Sequence, residues 1–90
     1  MVNIPIFGDV FGSPAGEITV DNDQITVKHK DLKMTVPLGY LYEVQLLEKK
    51  ELGKVRASIV VYDTVGIKNT VDCILSEPNY FLLKSFIKKQ

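Results

Sequence analysis

Apolar and polar residues alternate with a period of two through most of this chain, and the pattern predicts six or seven short strands before a single helix. Val2, Ile4 and Ile6 alternate first, and Pro5, which cannot donate to a ladder, points to an edge strand or arm over residues 2–7. Gly8, Gly12 and Ser13-Pro14-Ala15-Gly16 interrupt any continuation, so residues 1–15 read as an N-terminal edge strand or arm and residues 16–90 as one globular β-rich domain. Ile18, Val20, Ile25 and Val27 flank Asp21-Asn22-Asp23, which is turn chemistry, and predict a hairpin with those four side chains inward. Leu32, Met34 and Val36 follow after a second turn at His29-Lys30-Asp31.

After Pro37-Leu38-Gly39 the apolar positions Tyr40, Tyr42, Val44 and Leu46 again alternate. At helical spacing the apolar residues of 38–47 form no stripe, so a strand is expected there rather than a helix. Glu48-Lys49-Lys50-Glu51-Leu52-Gly53 makes a charged turn, and residues 54–62 are the strongest strand pattern, with Val55, Ala57, Ile59 and Val61 on one face. Residues 67–75 complete the set with Val71, Cys73 and Leu75 on one face.

The last stretch changes period. Pro78 suits a first helical turn with Ser76 or Glu77 just outside it, and a helix is expected over residues 78–89. At 100° per residue Tyr80, Leu82, Leu83, Phe86 and Ile87 fall on one side and Lys84, Ser85, Lys88 and Lys89 on the other. Adjacent hairpins and one terminal helix predict an α+β fold, mostly β: a bent antiparallel meander sheet closed by the C-terminal helix.

Composition narrows the function. Ninety residues, 46% of them apolar and 24% charged, suit one folded domain with a single small core. Eleven basic residues balance eleven acidic ones, so no global field gathers nucleic acid or anionic membrane. The halves differ: residues 1–45 carry three lysines and six acids, residues 46–90 seven lysines, one arginine and five acids. Three of those lysines stand at the helix C-terminus, where cations oppose the macrodipole. Apolar runs are far too short to span a bilayer. A lone cysteine and no charged-apolar-small leader lead to the expectation of a reducing cytoplasm.

No motif carries recognisable chemistry. His29, the single histidine, has no cysteine or acid pair at metal-ligand spacing and reads as a turn residue. Cys73 alternates with Val71 and Leu75 and reads as a buried hydrophobe. Asp21-Asn22-Asp23 lacks the glycine and terminal glutamate of a calcium loop, and Gly8-Asp9-Val10-Phe11-Gly12 lacks the Gly-Lys-Ser/Thr ending of a phosphate loop. No catalytic, cofactor-binding or metal-ligating residue is therefore assigned. Phe81 is off-pattern among the helix's polar residues. Either the N-terminal arm covers it, or it anchors a partner interface with Lys84 and Lys88; Phe7 and Phe11 serve either reading.

Gly16-Glu17-Ile18-Thr19-Val20, Gln24-Ile25-Thr26-Val27, the Thr35-Val36-Pro37-Leu38 entry to the next strand and the helix at 78–89 resemble small prokaryotic members of the pleckstrin-homology-like superfold. The resemblance covers residues 16–90 and implies a partial barrel plugged by the terminal helix. It also implies a non-catalytic binding module, since members of the superfold are chiefly that. Lipid-binding members place basic residues in the first hairpin where this chain has Asp21-Asn22-Asp23, which argues against phosphoinositides. The expectation is a cytoplasmic interaction domain without cofactor that binds another protein, or itself, through a strand edge or the helix's outer face. The alternative is an anionic-ligand or nucleic-acid module using Lys84, Lys88, Lys89, Arg56 and Lys54.

Overall fold

The computed structural model describes residues 1–9 and 12–87. Seven strands, β1 (Val2–Phe7), β2 (Pro14–Asp21), β3 (Gln24–His29), β4 (Leu32–Pro37), β5 (Leu41–Lys49), β6 (Lys54–Tyr62) and β7 (Lys68–Ser76), precede one helix, α1 (Glu77–Ser85). All pair antiparallel in the order β4-β3-β2-β1-β7-β6-β5, and the sheet does not close into a barrel. The α+β, mostly β reading of the sequence holds, including a strand rather than a helix over 41–49.

The sheet is two leaves. β1 pairs with β2 from Val2↔Val20 to Phe7↔Pro14, but among the described residues meets β7 only at Phe7↔Ile74. A three-residue 3-10 turn, Leu38–Tyr40, joins β4 to β5, the two ends of the strand order. Between the leaves lie Ile4, Ile6, Ile18, Ile25 and Val27 from one side and Val55, Ala57, Ile59, Val71 and Leu75 from the other, all buried. The inward faces expected for the first hairpin, β6 and β7 are thus observed.

The turns explain the registers. Asn22 and Asp23 take φ of 52° and 65° between Asp21 and Gln24, the two positive values that a tight right-twisted hairpin requires. At Gly16, opposite His29, a Cβ would stand 2.3 Å from the Lys28 carbonyl oxygen. That backbone approach admits no other residue without a shift of the strand.

Three expectations are corrected. β1 is not an edge strand or an arm: it lies between β2 and β7. Pro5 is tolerated there because, among the described residues, Val2–Ile6 have no ladder partner on the β7 side. The helix ends at Ser85, short of 89; Phe86 and Ile87 donate to the carbonyls of Leu83 and Lys84, i to i−3 bonds that tighten the last turn. Residues 88–90 lie outside the described residues. Leu82 is not inward, being 38% exposed, while Leu83 is 0% and Tyr80 4%. The buried stripe is centred on Leu83, Tyr80 and Ile87, and Leu82 stands about 160° around the wheel from Tyr80.

Truncating Leu83 leaves a cavity between the leaves, so Leu83→Ala is expected to cost about 2–5 kcal/mol, against less than about 1 kcal/mol for Leu82→Ala. Urea melts of the two variants compare them directly. Gly16→Ala is expected to destabilise by about 1–3 kcal/mol through the collision with Lys28, seen as a lower midpoint at unchanged slope.

Candidate functional site

β5 ends the strand order, so the backbone groups on its outer side have no strand partner. The helix is placed beside it by its own start. Ser76 is extended at φ −69° and ψ 148°, a proline stands in the first turn, the Glu77 amide donates to the Gly53 carbonyl at 2.8 Å, and Lys49 reaches Glu77 at 3.5 Å. Burial of Tyr80 and Leu83 then fixes the rotation of α1. A groove of about 330 Å³ remains between strand and helix, walled by Tyr42, Val44 and Leu46 on one side and Tyr80, Lys84 and Ile87 on the other.

β5 is irregular. Register shifts fall between Leu41 and Glu43 and between Leu46 and Glu48. Leu41 and Val44 are buried, a spacing of three rather than two, and this shift of face leaves Tyr42 62% and Leu46 37% exposed. The expected alternation of Tyr40, Tyr42, Val44 and Leu46 on one face is corrected accordingly. Tyr42 stacks edge-to-face on Tyr62 with centroids 5.5 Å apart.

The groove continues past Tyr42 and Ile87 into a second cleft of about 630 Å³ at the corner where β4 turns into β5. Leu38, Leu41 and Phe86 wall it, and Asp23 of the first hairpin stands at its margin.

The candidate interface residues separate. Phe81 and Lys84 share the outer face of α1: Phe81 is 56% exposed with its ring 5.0 Å from Tyr80, and the Lys84 ammonium sits 5.8 Å from the Tyr80 ring centroid. The N-terminal segment does not bury Phe81, because β1 is committed to the sheet. Phe7 is not with them; it is the residue that joins the leaves and lies half-buried under the Lys54 ammonium, 4.9 Å away. Phe11 and Lys88 lie outside the described residues, as does Lys89. Tyr42 and Leu46 were missed as a surface pair; the adjacent Leu46-Leu47, which breaks the alternation, is the signal in the sequence.

The described basic residues of the alternative reading, Arg56, Lys54 and Lys84, are engaged. Arg56 donates from Nε and Nη2 to the two carboxylate oxygens of Asp72 at 3.1 and 3.0 Å, and Nη1 lies 3.6 Å from Glu48. The hydrogen bonds and charge of Asp72 raise its pKa further. Lys54 is over Phe7.

His29 closes β3 opposite Gly16; burial lowers its pKa, the Lys30 charge adds to this, and Asp72 opposes it. Burial, with a smaller contribution from Asp72, pushes the Cys73 thiol up to about 12. No group of three His, Cys, Asp or Glu residues is gathered for a metal among the described residues, and no described helix is long and apolar enough to cross a membrane. No family model, curated protein or solved structure matches this chain.

The folded state keeps Cys73 protonated where the unfolded chain has already lost the proton, so N binds more protons than U between their two pKa values. Stability therefore falls as pH rises from about 9 toward about 12, by at most about 1.4 kcal/mol per pH unit from this group. Cys73→Ala is expected to remove that component, read as a shallower loss of stability than wild type in denaturant melts across this range.

Proposed function

We propose that this chain is a non-catalytic cytoplasmic interaction domain of the pleckstrin-homology-like superfold, and that it binds an extended segment of another protein along the free edge of β5 beside α1. The strand order, four strands and then three with a terminal helix against the core, supports the superfold reading. The observation that carries the function is the juxtaposition of an unpaired strand edge with a groove of mixed lining, Glu43, Gln45 and Lys84 among Tyr42, Val44, Leu46, Tyr80 and Ile87, and exposed rings. An added strand takes up the orphan amides and carbonyls, and its alternate side chains enter the groove.

The bulges of β5 set the length of the match. They confine regular pairing to about Glu43–Leu46, so main-chain bonds supply only part of the binding. Tyr42, Leu46 and Phe81 supply the remainder as apolar contacts that lose water on docking. The opposite edge, β4, ends in Pro37, which has no N–H to offer. Arg56 is already matched by Asp72 and Glu48, so nucleic acid and phosphoinositides fall outside this reading, as does a cofactor.

The test is a selection of extended peptides displayed against the folded chain, with binders mapped by amide chemical shifts. Binders are expected to perturb 41–49 and α1, and Phe81→Ala or Tyr42→Ala to weaken them by about 2 kcal/mol while stability changes by less than about 0.5 kcal/mol. Binders that perturb other strands, or affinities indifferent to both variants, would remove β5 as the partner surface. Sedimentation of the free chain checks self-association through the same edge, with a mass that falls in Phe81→Ala if a second copy is the partner.

A further inference from the structure

We infer that the cleft at the β4–β5 corner is a binding site for a small organic amine with an apolar body. It adjoins the groove beside β5, sharing Tyr42 and Ile87 with it, but is larger, about 630 Å³ against about 330 Å³, within the range of about 300–1,000 Å³ typical of small-ligand sites.

The lining specifies the chemistry. Leu38, Leu41, Phe86 and Ile87 offer hydrocarbon, which favours a ligand with an apolar body over a hydrated ion. Two of the lining residues, Tyr42 and Phe86, carry aromatic rings, whose faces attract cations. Asp23 is the one charged residue among the described residues of the lining, and its carboxylate has no ion pair or hydrogen bond with any described residue. Asp21 adds a second negative charge on the same hairpin.

The backbone that carries the exposed Asp23 side chain is tied down. The Leu38 amide donates to the Asp23 carbonyl at 2.7 Å, tying the first hairpin to the turn between β4 and β5. This holds the Asp23 and Leu38 backbones of the cleft together before any ligand arrives. A carboxylate beside aromatic and aliphatic walls favours an ammonium head and disfavours a carboxylate of the same length.

Titrating the full chain with hexylamine, hexanol and hexanoate, and following the amide and methyl signals of Leu38, Leu41 and Ile87, tests this. Hexylamine is expected to give saturable shifts, hexanol weaker ones and hexanoate none. Asp23→Asn keeps a residue that tolerates the φ of 65°, and so keeps the turn; it is expected to bring hexylamine to the level of hexanol, a loss of up to about fivefold. Tyr42→Ala, at an exposed position, is expected to weaken hexylamine as well. Equal affinity for the three probes, indifference to Asp23→Asn, or no saturable shift would overturn the inference. Tighter binding of N-acetyl-lysine methylamide than of hexylamine would overturn it too, by giving the cleft to a partner's side chain. Asp23 does not line the groove beside β5, so Asp23→Asn separates the failure of this inference from the failure of peptide addition there.

Discussion

Among the described residues, two leaves of antiparallel sheet share one backbone pair, Phe7–Ile74, so the force holding them face to face is burial of the apolar side chains between them. Ile4, Ile6, Ile18 and Ile25 of one leaf and Ile59, Leu75 and Val55 of the other are excluded from water together. A ladder along the whole β1–β7 border would have fixed the angle between the leaves by hydrogen bonds. With one pair in place, the angle is set by how these side chains interdigitate and by the helix.

That constraint explains where the free surfaces lie. A sheet that bends at one border without closing keeps two edges, β4 and β5, tied at one end by the Leu38–Tyr40 turn. The helix follows β7 and lies against the three-stranded leaf, so its buried Tyr80 and Leu83 complete the core while its flank leaves a groove along β5. The proposed partner surface and the proposed amine cleft both derive from this incomplete closure.

The charges contribute little to holding the fold. Among the described residues no polar or charged side chain is buried, and the cross-strand set Glu48, Arg56 and Asp72 lies on the outer surface, where solvent screens it. The polar outer face lets the sheet meet water, and it matches Arg56 with acids close at hand.

Elements with a regular local pattern were legible in the chain. Period-two alternation named the inward faces of β2, β3, β6 and β7, and Asp21-Asn22-Asp23 marked a turn that only positive φ values complete, because both signals are local. The start of α1 was equally legible from Pro78. Residues whose role depends on distant partners were not. Pro5 signalled an edge, yet β1 sits inside the order because β7, some seventy residues on, meets it at one pair. Leu82 and Leu83 are the same residue type on adjacent positions; only the location of the leaves decides which is buried. Tyr42 and Leu46 reach the surface through bulges set by register with β6, and Asp23, set beside Leu38 by the β3–β4 register, shares a cleft with Phe86 from the far end of the chain. The sequence by itself determined the elements, through periodicity and turn chemistry, while the tertiary structure decided which edges and side chains were left free, since burial depends on contacts between segments far apart in the chain.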